Sequence, residues 1–235
     1  MDIASLADAI ATAVAGPARQ GLAGLDAAQV LALAAAMGWA SGLRLYLVVF
    51  LVGLAGATGW MPLPVGLQVL SQPLVIGAAG LMVFAEFFAD KIPGLDSVWD
   101  VVHTVIRIPA GAALAAGMFG GLGGSDTQGW TVVAALLGGT LAATAHAAKA
   151  TTRAAVNTSP EPFSNISLSL LGDALVPTML WLAYAHPLMF FIVLALLLLA
   201  MIALTLLLLR FLRALVRRFS SRAPLRFDDL SPPSR

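Results

Sequence analysis

From Asp26 onward the chain is a series of apolar runs of membrane-spanning length, broken by short Pro- and Gly-rich stretches. Asp26 is placed to cap the first run, which continues to about Gly59. Ser41-Gly42-Leu43-Arg44 interrupts it and sets an arginine about 27 Å along the axis at about 1.5 Å per residue. Small residues beside a deep charge predict a local unwinding or a buried ion pair. Residues 61–72 hold Pro62 and Pro64, with Pro73 just after, and predict a non-helical connection. Further spans are expected over about 73–91, 96–119, 130–157, 166–185 and 187–209. Residues 92–94 and 158–165 are Pro-bearing breaks, Pro109 predicts a kink, and 120–129 reads as a flexible Gly-rich loop. The fold class is an all-α polytopic membrane bundle, with about six transmembrane spans and Pro-broken polar hairpins. Residues 1–25 form an amphipathic or flexible segment, 26–209 the transmembrane helical domain, and 210–235 an Arg-rich tail.

The polar exceptions to this pattern are ordered. In the third span Asp96, Asp100, His103 and Arg107 stand at offsets of four, seven and eleven, so they share one helix face, while Val98, Val101, Val102, Val105 and Ile106 flank it. His146, Lys149, Arg153 and Asn157 repeat the arrangement in the fourth span at offsets of three, seven and eleven. Glu86 and Asp90 lie four apart at the end of the second span, and Asp173 lies well inside the fifth. A charged stripe facing lipid costs several kcal/mol, so both stripes are expected to face protein or a water-filled space.

Composition sharpens the class. Of 235 residues 60% are hydrophobic and 11% charged, and the mean hydropathy is +0.92, far above that of a soluble domain. The absence of cysteine excludes disulfides, thiolate metal sites and Cys nucleophiles. No nucleophile elbow or phosphate-binding loop occurs, and nothing suggests a nucleic-acid partner. The net charge is only +1, but Arg210, Arg213, Arg217, Arg218, Arg222 and Arg226 follow the last span. With six spans, the Lys and Arg distribution predicts both termini in the cytoplasm and an inner-membrane location.

The segments ADKIPGLDSVWDVVHTVIRIPAGA and HAAKATTRAAVNTSPEPFSN, with ASGLR before them, resemble a bacterial membrane-protein family catalogued as domain of unknown function 4126. The resemblance spans about residues 30–205. Its motif residues fall here on Arg44, Asp90, Lys91, Pro93, Asp100, His103, Arg107, His146, Lys149, Arg153, Asn157, Pro160, Pro162 and Asn165. It implies a membrane helical fold and brings no activity with it.

The residues themselves suggest three chemistries. Arg44, Arg107, His146, Lys149, Arg153, Asn157 and Asn165 could bind an anionic solute or a lipid headgroup. Glu86, Asp90, Asp100, His103 and Asp173 are candidates for coupling to protons or ions. Glu86, Asp90, Asp100, His103 and His146 supply, as the alternative, ligands for a divalent metal ion. The leading expectation is a small transporter or permease for a small or amphiphilic anion, proton-coupled, embedded in the lipid bilayer and open to homo-oligomerisation. Its rival is a metal-dependent intramembrane enzyme acting on a lipid or prenyl substrate, or a divalent-metal transporter.

Overall fold

The computed structural model describes residues 24–92, 95–120, 125–158 and 162–220. Among these residues six α-helices follow one another: α1 (Ala27–Ala57), α2 (Pro73–Ala89), α3 (Leu95–Gly117), α4 (Ser125–Val156), α5 (Pro162–Ala185) and α6 (Pro187–Ser220). A 3-10 helix, Val65–Ser71, occupies part of the stretch expected to be non-helical and meets α2 at 68°. No strand occurs among the described residues, in keeping with an all-α bundle. The expected N-terminal segment up to residue 23, the breaks at Pro93 and Pro160, residues 121–124 of the Gly-rich loop and the tail past 220 lie outside the described residues. Three boundaries shift. The fourth and fifth helices start earlier than expected, at Ser125 and Pro162, and α6 runs on through Arg210 and Arg213 because nothing in that sequence breaks a helix.

Asp26 caps α1 as expected: its side chain accepts from Gln29 N at 2.7 Å, and Gln29 Oε1 accepts from Asp26 N at 3.0 Å. The helix then departs from a single span. Arg44 has φ −146° and ψ 72°, which is not helical. Gln29, near the start, donates from Nε2 to Tyr184 O at 2.9 Å, and Trp60, just past the end, sets its ring 5.1 Å from the Tyr184 ring. A straight helix of this length would hold its ends about 46 Å apart. A cavity of about 370 Å³ is likewise lined by Leu33 from the first half and by Val52, Ala55 and Thr58 from the second or just beyond it. α1 is therefore two half-helices folded back on each other at Arg44. By length and composition five helices could cross a membrane, or six with the bent pair counted, and α1 is among the five. Its fold-back makes it a helical hairpin, with both ends at one end of the bundle.

Around this hairpin the other helices alternate in direction. The 3-10 helix closes the same end, where Gly66 N donates to Gly120 O at 3.4 Å just beyond α3, and Tyr184 brings the end of α5 there. Asp90, the first turns of α3 and the last turns of α4 gather at the opposite end, toward which α6 runs. α1 touches every other helix and carries much of the buried core, from Val30 to Val52. The outer faces, with Leu81 and Phe84 on α2, Val101 and Val105 on α3, and Leu196 and Leu199 on α6, are exposed and apolar, as a lipid-facing surface requires.

Small residues let α1, α3 and α4 approach closely. A Cβ at Gly38 would lie 2.6 Å from Gly138 Cα, one at Gly42 would overlap the Ala142 carbonyl, and one at Gly138 would lie 2.8 Å from Gly111 O. These obstacles are backbone of a neighbouring helix, which cannot move aside cheaply. Gly42→Leu is expected to lower stability by about 3 kcal/mol or more through overpacking, whereas Gly77→Ala, where an added Cβ meets nothing within 4 Å, is expected to be neutral or slightly stabilising. Thermal unfolding of the purified variants in one detergent checks both.

Candidate functional site: a buried ion-pair network

The turn of the α1 hairpin delivers Arg44 into the bundle, 3% exposed. Its guanidinium pairs with Asp90 at the end of α2 and with Asp173 Oδ1 on α5 at 2.8 Å, and it donates to Ser169 Oγ at 2.8 Å and Ser169 O at 3.2 Å. One arginine thus binds three segments that are distant in sequence. Arg107, wholly buried on α3, pairs with Glu86 from α2 and with Asp100 Oδ1 at 2.6 Å.

Lys149 sits between these two arginines. Its ammonium lies 3.2 Å from Asp100 Oδ1, 3.3 Å from Asp90 Oδ2 and 3.7 Å from Glu86 Oε1. It also donates at 3.1 Å to Leu43 O, a carbonyl beside the break in α1. A compact ammonium with three rotatable donors suits that mixed shell better than a planar guanidinium would. Arg153, one turn on, donates to Asp90 O at 3.1 Å, pairs with Asp90 Oδ2 at 3.1 Å and reaches Asp100 Oδ2 at 3.5 Å. Four cations and four carboxylates meet, so the network is neutral as a whole.

The two histidines take separate places. His146 shares Nε2 with Thr104 Oγ1 at 2.7 Å, and the Thr104 hydroxyl is already committed as donor to Asp100 O at 2.9 Å. The His146 Nδ1 lies 3.4 Å from Arg107, and the ring also hydrogen-bonds the Gly42 backbone. His103 stacks on Trp99 and meets Tyr46 edge-on; its Nδ1 donates to Trp99 O at 2.7 Å and its Nε2 faces the Tyr46 hydroxyl at 3.1 Å. It lies on the network's edge rather than within it.

The two stripes read from the sequence therefore converge: Asp100, His103 and Arg107 on α3 and His146, Lys149 and Arg153 on α4 are buried, and the flanking valines of α3 are exposed. Asn157 stands just past α4, half-buried. Asn165 falls in the first turn of α5, with its side chain outside the described residues, as is that of Asp96. Lys91 is set apart at the end of α2, with its ammonium over the Phe87 ring and donating to Phe87 O at 3.1 Å. Partial burial pushes the Lys91 ammonium below its ordinary value, against the pull of Asp173. Tyr46, Thr104 and Ser169 were not chosen as site residues from the sequence. Of these Thr104, four residues after Asp100, and Ser169, four before Asp173, carry a usable spacing signal.

The alternative metal set does not assemble. Among the described residues no three of His, Asp and Glu are arranged to hold an ion. The physical reason is visible in the pairing: Glu86, Asp90 and Asp100 are turned onto Arg44, Arg107, Lys149 and Arg153, while His103 and His146 point to Tyr46 and Thr104.

A cavity of about 150 Å³ adjoins the network, lined by Arg44, Lys149 and Arg153 and by Leu171, Leu175 and Leu204 among others. A second, of about 330 Å³, opens beside Asp100, Thr104 and Arg153 against Leu209 and Leu212 of α6. On α4, Ala148, Lys149 and Thr152 face the first, and Ala150, Thr151 and Ala154 face the second.

Removing Arg107 would leave Glu86 and Asp100 buried beside only the longer contacts to Lys149 and Arg153. Arg107→Met is expected to cost about 3–5 kcal/mol, the scale of breaking a buried pair, and Lys91→Gln less than about 1 kcal/mol. Thermal unfolding of the two variants beside wild type measures the contrast.

Comparison with known proteins gives one result. The chain matches no curated protein and no solved structure. The family described as Domain of unknown function (DUF4126) matches residues 31–206, which takes in α1 through most of α6 and every member of the ion-pair network. The chain belongs to that family.

Proposed function

We propose that this chain is a small membrane carrier for an organic anion that joins one charged oxygen-bearing group to a short apolar part. The observation that carries the reading is the cavity beside the network. Three cations line it together with several leucines, so a solute with a charged head and an apolar tail finds both chemistries there. A purely structural network would seal its charges. Here Asp173 keeps 26% of its side chain exposed, while Glu86, Asp90 and Asp100 keep 3% or less.

Three further features support the reading. Broken helices inside a membrane bundle recur where carriers bind their solutes, and α1 breaks at Arg44, which lines the cavity. A second cavity reaches Arg153 from the other face of α4, so the network can be approached from two directions. Arginine holds carboxylate, sulfonate or phosphate oxygens through paired donors, and it stays charged when buried.

The same reading sets an orientation. Arg210, Arg213, Arg217 and Arg218 favour the cytoplasm for the end of α6, in a cytoplasmic membrane. Because α1 folds back, its start then faces the opposite compartment. On this reading the start of α1 and the end of α6 lie on different sides, whereas counting α1 as a crossing puts both in the cytoplasm.

The test fills the cavity without touching the ion pairs. A Cβ at Gly172 would lie 3.8 Å from Arg44 Nε, an ordinary contact, so a longer side chain can extend from there into the space. Proteoliposomes containing wild type are expected to take up hexanesulfonate, a permanently charged probe with a short apolar tail, faster than protein-free vesicles. Gly172→Leu should fold with an unchanged melting midpoint and lose uptake by about tenfold or more. Uptake equal to that of empty vesicles, or equal rates in the folded variant and wild type, would overturn the reading.

A further inference from the structure

The neutrality of the network sets a condition on any anion that enters it. Four cations already face four carboxylates, so an added anion leaves a net negative charge in a low-dielectric interior, at a cost of several kcal/mol. The balance is restored when one carboxylate takes up a proton. The question is which one.

Three of the four are ill-suited. Glu86 is shared by Arg107 and Lys149, Asp90 by Arg44, Lys149 and Arg153, and Asp100 by Arg107, Lys149 and Arg153. Each would have to abandon two or three cations in a sealed interior. Asp173 differs in its pairing and its exposure. Among the described residues its salt bridge is to Arg44 alone, through Oδ1 at 2.8 Å, and a quarter of its side chain is open, although its Oδ2, like Asp90 Oδ1 and Asp100 Oδ2, is buried without a hydrogen-bond partner. Its neighbours Ser169 and Gly172 line the cavity together with Arg44. Pro177, four residues on within α5, has no N–H to offer the Asp173 carbonyl, so the helix is less tightly tied at that turn.

We propose that Asp173 is the exchangeable counter-ion of the site: an arriving anion takes its place on Arg44, and Asp173 accepts one proton as it is released. This rests on the carrier reading above and makes it an anion–proton symporter. The step balances, because the carboxylate becomes a carboxylic acid, the anion's oxygen accepts the Arg44 N–H that Asp173 gives up, and the net charge returns to zero. Arg44 from α1 pairs with Asp173 and Lys91 at the end of α2 feels its charge, while Asp90 stands beyond Arg44 and Lys149 and Arg153 from α4 line the same cavity as Arg44. From α6 there is none before Arg210. The imidazoles have no part in the exchange, since His146 is held between Thr104 and Arg107 and His103 between Trp99 and Tyr46.

Calorimetry of hexanesulfonate binding to the full chain in nanodiscs, repeated in buffers of different ionisation enthalpy, counts the protons. The sulfonate does not titrate, so any proton taken up belongs to the protein. Wild type is expected to gain about one proton per anion and to bind about tenfold more weakly for each unit rise in pH over the range in which that proton is taken up. Asp173→Asn is expected to bind at least as tightly, with no proton uptake and no pH dependence, because Arg44 then lacks a competing charge. Wild-type binding without proton uptake would overturn the proposal and leave the carrier reading standing, whatever the variant does. Proton uptake that persists in Asp173→Asn, or lost binding in a variant that melts with wild type, would also overturn it. A wild type that does not bind the probe removes both.

Discussion

A guanidinium in the hydrocarbon interior has to be met by carboxylates, and in this chain it lies at the turn of a helix that has doubled back. Arg44 holds Asp90, Asp173 and Ser169 at once, so the position of α1 fixes where α2 ends and how α5 is rotated. Without that charge the hairpin would be an apolar insertion free to slide. With it, one register satisfies the donors, since a guanidinium left with one partner in this interior would cost several kcal/mol. The network therefore sets the geometry of the bundle as well as its chemistry.

Close helix approach makes the network attainable. Gly38 and Gly42 bring α1 onto Gly138 and Ala142 of α4, and the same contact carries Lys149 to the carbonyl of Leu43. With larger residues the ammonium would fall short of that oxygen. Backbone groups freed by the break are then satisfied by side chains: Lys149 covers Leu43 O, and Ser41 donates to Gly38 O at 2.7 Å.

Much of this can be read in the residues before any coordinates. The offsets from Asp100 to Arg107 and from His146 to Arg153 are local geometry, which a helix fixes, and both stripes turn inward as that geometry requires. The interruption at Arg44 is equally local, since small residues beside a deep charge announce it. What could not be read is long-range. A run of 31 apolar residues with an internal break is compatible with one long crossing or with a return, and only Gln29 and Trp60 meeting at Tyr184 distinguish them. Orientation inherited that ambiguity, because it was counted from the number of crossings. The pairing scheme was hidden for the same reason: Glu86, Asp90 and Asp100 have the donor set of a metal site, and only their placement opposite Arg44, Arg107, Lys149 and Arg153 turns them to salt bridges.

The doubling-back of α1 also imposes an order on biogenesis. The hairpin is the first described element to leave the ribosome, yet its tip is neutralised by Asp90 and Asp173 and hydrogen-bonded by Ser169, which follow by 46 to 129 residues. Until α5 has been translated, Arg44 lacks part of its shell and the hairpin has no settled home between helices. Its early halves must wait near the interface or in the insertion machinery, where the charge can stay hydrated, and only the later helices can draw it into place.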